Sequence, residues 1–89
     1  MKAIQSPEVK ADLLRRLRRI EGQARGVARM IEEGRDCQEV LQQLAAIRAA
    51  AHQASLKLMR SFAFECIQAS EGSPEEVVEA LIRALSNVS

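Results

Sequence analysis

The sequence has no tryptophan and no tyrosine, and Phe62 and Phe64 are its only aromatic residues. A β-sandwich draws on aromatic and β-branched side chains, so their scarcity argues against one. The hydrophobic fraction of 47% is carried mainly by alanine, leucine, isoleucine and valine, a composition that suits closely packed helices. No apolar run approaches the length of a membrane span, and the N-terminus lacks the apolar core of a signal peptide, which predicts a cytoplasmic protein with no membrane partner. Only two cysteines are present, Cys37 and Cys66. In a reducing compartment such a pair is seldom a structural disulfide, which leaves buried spectators, metal ligands or reactive thiols. The single histidine, His52, belongs to no evident constellation of nucleophile and carboxylate, so neither an enzyme nor a cofactor is expected.

The chain is also short. Eighty-nine residues make one domain, read here as 1–89, and such a chain buries too little surface to be comfortably stable alone. Oligomerisation is the expected remedy. The net charge of +1 hides an uneven distribution: residues 1–35 hold nine Lys/Arg against five Asp/Glu, whereas residues 36–89 hold four against seven. A basic first third points to a polyanionic partner.

Three capping signals divide the chain. Ser6-Pro7-Glu8, Asp36-Cys37-Gln38-Glu39 and Ser73-Pro74-Glu75-Glu76 each place a capping residue before a first turn, and Asp36 and Glu39 have capping-box spacing. Gly34 and Gly72 precede the second and third starts, where a C-cap calls for a left-handed residue. These signals predict an all-α chain of three helices, at about 7–33, 37–70 and 74–87.

In the first helix Leu13, Leu17, Ile20, Ala24, Val27 and Ile31 form one narrow stripe expected to face a partner helix. Opposite it run Arg15, Arg18, Arg25 and Arg29, with Gly22 filling a gap in the row and Gly26 beside it. Guanidinium groups over small residues offer a surface that a phosphate backbone can approach, and a merely solvated polar face is the alternative. Asp12 and Glu33 interrupt the positive charge. The second helix is apolar or small almost all the way round, from Val40 and Leu41 to Phe62 and Phe64. The first helix and a third helix carrying Val77, Val78, Leu81, Ile82 and Leu85 cannot cover it alone, which predicts an obligate oligomer packed through helix 2 about a twofold axis.

Cys37 and Cys66 are 29 residues apart. At about 100° per residue they return to nearly the same helix face, but at 1.5 Å per residue they stand about 43 Å apart along a continuous helix. They then cannot meet within one chain. An antiparallel pairing of two such helices brings Cys37 of one subunit opposite Cys66 of the other, over a seam of Leu41, Leu44, Ala51, Ser55, Leu58 and Phe62, with His52 near the axis as an interface residue. Cys37, in a first turn beside Arg35, has the setting of an attacking sulfur, with Cys66 as its resolving partner. Two ordinary small buried side chains are the alternative.

The segment Arg16–Ile31, RLRRIEGQARGVARMI, followed by Asp36-Cys37 and then Cys66, resembles the CsoR/RcnR family of repressors over nearly the whole chain. The resemblance implies a three-helix protomer, an antiparallel dimer assembled as a dimer of dimers, and operator DNA as partner without a helix-turn-helix. It also implies DNA contact by Arg16 and by the basic residues of the first two helices, among them Arg15, Arg18, Arg19, Arg25, Arg29 and Arg48. Copper sensors of the family place a histidine four residues before the second cysteine. Here that residue is Phe62, which cannot ligate, so no metal ligand set is assigned. Two cysteines without this histidine are similar to the CstR branch, which implies a repressor of sulfide-detoxification genes that answers persulfide or polysulfide inducers. The alternatives are a Cu(I)-responsive repressor of copper-efflux genes and a helical oligomerisation module with spectator thiols.

Overall fold

A computed structural model describes residues 3–68 and 72–86. It contains helices α1 (Pro7–Glu32), α2 (Cys37–Gln68) and α3 (Pro74–Ser86), and no strand among the described residues. The all-α, three-helix expectation therefore holds. The expected ends at residues 69, 70 and 87 lie outside the described part, as does the side chain of Leu85.

Local chemistry explains the boundaries. Ser6 is extended, and its hydroxyl accepts a hydrogen bond from the Val9 amide at 3.3 Å, with Pro7 in the first turn. Helix α1 ends in a complete Schellman motif: the Gly34 amide donates to the Ile31 carbonyl at 3.1 Å and the Arg35 amide to that of Met30 at 2.9 Å. This geometry requires a left-handed residue, and Gly34 supplies it at φ 71°. Asp36 then caps α2 by accepting from the Gln38 amide at 3.1 Å. Ser73 caps α3 by accepting from the Glu76 amide at 3.2 Å.

Two expectations at these junctions need correction. Glu39 does not close a capping box with Asp36; its carboxylate pairs with Arg35, 2.8 Å from a guanidinium nitrogen, because a full positive charge outcompetes a neutral amide. Gly72 is not left-handed, since Gly34 is the positive-φ glycine among the described residues. Gly72 leaves room instead: a Cβ there would stand 2.6 Å from a carboxylate oxygen of Glu76.

The described chain divides into two compact units, Met1–Lys57 and Leu58–Ser89, with the boundary inside α2. In the first, Asp12 near the start of α1 feels the charge of Lys57, twenty residues into α2. The stripe expected along α1 is split. Leu13 and Val27 are buried, at 7% and 5% exposure, and Ile20 between them is half-buried. Leu17, Ala24 and Ile31 stay exposed. Leu17 and Ala24 sit about 40° round the helix from Leu13 and Ile20, off the covered line, whereas Ile31 shares the azimuth of Leu13 but lies in the exposed last turn of α1.

In the second unit Val77 and Leu81 of α3 are half-buried, and Val78 and Ile82 are exposed. Along α2, Leu41, Leu44, Leu58, Phe64 and Ile67 all present large apolar surface. Leu41 is 64% exposed.

Candidate sensor thiols and nucleic-acid interface

Both cysteines are carried by α2, which puts Cys37 in its first turn and Cys66 in its last. Each is a free thiol, Cys37 exposed and Cys66 half-buried. The helix between them is continuous, as the sequence reading required. The cation expected to accompany Cys37 is committed elsewhere, because the Arg35 guanidinium is bound to Glu39 through two nitrogens at 2.8 and 3.0 Å. The surroundings of Cys37 are thus a helix N-terminus beside a neutralised ion pair.

One helical turn before Cys66 stands Phe62, half-buried, with no atom able to bind a metal. Among the described residues no group of three or more His, Cys, Asp or Glu gathers in one chain to hold a metal ion. A ligand set built on Cys37 and Cys66 has no nitrogen donor at position 62. His52, placed near the seam by the sequence, is exposed in the single chain.

The arginines separate into two groups that periodicity alone did not distinguish. Arg15 and Arg16 are drawn to the same carboxylate: Arg15 donates to one oxygen of Asp12 at 2.8 Å, and Arg16 donates through Nε to the other at 2.7 Å. The hydrogen bond from Arg16, its charge, the bond from Arg15 and the charge of Lys57 hold the Asp12 carboxyl below its usual range, against partial desolvation that acts the other way. Arg16, with a side chain 39% exposed, is more covered than Arg15 at 66%.

Arg18, Arg19 and Arg29 are exposed and have no ion-pair partner among the described residues. Arg25 is held only loosely, 3.7 Å from Glu21. Arg48 is exposed on α2. The free guanidinium groups of α1 therefore run from its middle to its last turn, on the side away from Leu13 and Ile20.

Two polar features escaped the sequence reading. Asp12 interrupts the basic face and also organises it, and its i,i+3 and i,i+4 spacing to Arg15 and Arg16 is the signal of such a bridge. Gln23, seven residues after Arg16 on the same side, keeps a buried side-chain oxygen without a hydrogen-bond partner.

Comparison with known proteins places this arrangement. The family described as metal-sensitive transcriptional repressor matches residues 9–87. The copper-sensing transcriptional repressor RicR of Mycobacterium tuberculosis is 42% identical over 67 residues, covering 73% of this chain and 70% of that protein. The crystal structure of the copper-sensing repressor CsoR with Cu(I) from Geobacillus thermodenitrificans NG80-2 superposes with a TM-score of 0.82 at 34% identity, covering 98% of this chain and 93% of that one. The nickel-responsive transcriptional regulator InrS gives a TM-score of 0.80 at 37% identity, with 98% and 97% covered.

Proposed function

We propose that this chain, which belongs to the family of metal-sensitive transcriptional repressors and not to a family of enzymes, releases operator DNA when a persulfide or polysulfide joins Cys37 of one subunit to Cys66 of another. The observation that carries the reading is the donor set. Two thiols stand at the ends of one unbroken helix, and the residue one turn before Cys66 is a phenylalanine. Such a pair suits sulfur exchange better than a three-coordinate metal site.

The oligomer supplies the geometry. An isolated chain with only Leu13 and Val27 buried among its described residues exposes too much apolar surface to persist alone. Two α2 helices packed antiparallel cover that surface and set Cys37 against Cys66 at each end, and two such dimers complete a tetramer. The Cys37 thiolate attacks the sulfane sulfur of a persulfide, forming Cys37–S–SH and expelling the donor's thiolate. The Cys66 thiolate of the other subunit then attacks the Cys37 sulfur and expels hydrosulfide. Each cysteine sulfur is oxidised by one electron, and the sulfane sulfur is reduced by two to sulfide. The new bond ties helix ends across the dimer and biases the assembly away from the shape in which its arginines match DNA. Genes for sulfide detoxification are the corresponding targets.

The test is to treat reduced protein with a persulfide donor, follow release of a promoter fragment, and map bridges by non-reducing electrophoresis and mass spectrometry. A linked dimer joined from Cys37 to Cys66 is expected, with both single Cys→Ser variants unable to form it. A bond confined to one chain would overturn the antiparallel dimer.

A second reading, a Cu(I)-responsive repressor of copper-efflux genes, is favoured by the likeness to RicR and CsoR, both named as copper sensors. Phe62→His restores a nitrogen donor one turn before Cys66 and should strengthen Cu(I) binding if the native site lacks a third ligand. Release of DNA by Cu(I) from the unaltered protein, with a three-coordinate signature, would establish the copper reading in place of the sulfur one.

A further inference from the structure

Gly22 and Gly26 lie in the interior of α1, where glycine weakens a helix relative to alanine. Nothing among the described residues explains them. Neither has a positive φ, and a Cβ built at either position meets no atom within 4 Å beyond the local helix backbone. Alanine would fit both sites and make a better helix, so the missing methyl groups answer to a body outside the chain.

The surrounding charge identifies that body. The helix neighbours one turn from Gly22 are Arg18, Arg19, Arg25 and Gly26, and those of Gly26 are Gly22, Gln23, Arg29 and Met30. Four exposed arginines thus border the pair. Three of them lack an ion-pair partner among the described residues, and the nearest carboxylate, that of Glu21 beside Gly22, is held only loosely by Arg25 at 3.7 Å. A second copy of α1 docked here would bring eight guanidinium groups together, whereas a nucleic-acid backbone supplies the opposite charge along a line.

We infer that Gly22 and Gly26 form a notch in which a DNA phosphate seats directly against the α1 backbone, with Arg18, Arg19, Arg25 and Arg29 closing on its neighbours. The inference rests on the DNA-binding reading above and adds positioning residues to it. Without Cβ atoms the backbone approaches the phosphate more closely, which shortens the guanidinium contacts on either side. Methyl groups at the two sites hold the strand off and lengthen all of them together.

The experiment compares Gly22→Ala, Gly26→Ala, the double variant and Arg18→Ala with the unaltered full chain. It uses the promoter fragment next to the protein's own gene across a salt series, with thermal unfolding and sedimentation in parallel. Gly→Ala should leave the oligomer intact and its melting temperature equal or higher, while DNA affinity falls about tenfold, the scale of one lost charge-assisted contact. Affinity unchanged in both glycine variants but reduced in Arg18→Ala overturns the notch and leaves the DNA-binding reading standing. Loss of the oligomer in the glycine variants also overturns it, because a second copy is then the occupant. If the unaltered protein binds no DNA at all, the reading and the notch fall together.

Discussion

Arg16 donates through Nε to Asp12 at 2.7 Å, one helical turn back along α1, and thereby occupies the side chain that family resemblance marked for DNA. Arg15 holds the other oxygen of the same carboxylate. One acidic residue thus ties down two members of the basic face, while Arg18, Arg19 and Arg29 have no ion-pair partner among the described residues.

The bridge gives stability a defined pH dependence. The folded-state pKa of Asp12 lies below its ordinary value of 3.8, first through the hydrogen bond from Arg16. A depressed carboxylate pKa contributes stability that is fully present above the unfolded value and is lost as pH falls through the folded one. The melting temperature of the native protein should therefore exceed that of Asp12→Asn by a steady margin at neutral pH. The margin should begin to shrink as pH drops past 3.8 and should vanish at still lower pH. A margin independent of pH would show that the bridge carries no such linkage.

Arginine substitutions should fall into the two groups that the ion pairs define. Arg18→Ala removes an unpaired exposed cation, so it should weaken DNA binding, reduce the slope of log affinity against log salt by about one, and leave thermal stability unchanged. Arg16→Ala leaves Asp12 short of a partner and should lower the melting temperature as well. Equal melting temperatures for the two variants would contradict the distinction.

Leu41, 64% exposed and expected on the α2 seam, tests the assembly. Fully burying a leucine contributes about 1.5–3 kcal/mol, and the twofold symmetry of a dimer counts the loss twice. Leu41→Glu should shift sedimentation toward monomer and abolish tight DNA binding. An intact oligomer would place the seam elsewhere.

Gly34 answers to the backbone alone. A Cβ there meets nothing, but at φ 71° an L-residue is strained by about 1–2 kcal/mol. Gly34→Ala should lower the melting temperature by several degrees, as expected of a domain near this size. Gly22→Ala and Gly26→Ala should not. The contrast between these glycines is measurable in one set of unfolding curves.

What the amino-acid sequence determined by itself was decided within a few residues of chain. Ser6, Asp36 and Ser73 cap their helices as read, and Gly34 ends α1 in a left-handed turn, because capping groups find their partners two to five residues away. The continuity of α2 from Cys37 to Gln68 was legible in the same way, since no proline or glycine interrupts it. Tertiary structure decided the rest. It chose which half of the α1 stripe to cover, burying Leu13 and Val27 and leaving Leu17 in solvent, because helical period defines a stripe but not the line along which a neighbour lies against it. It also brought the charge of Lys57 on another helix to Asp12, whereas the pairing of Asp12 with Arg15 and Arg16 is local to α1, at i,i+3 and i,i+4 spacing. Glu39 went to Arg35 and not back to its cap although both lie within a few residues: spacing along the chain offers two partners, and the full charge of the guanidinium decides between them.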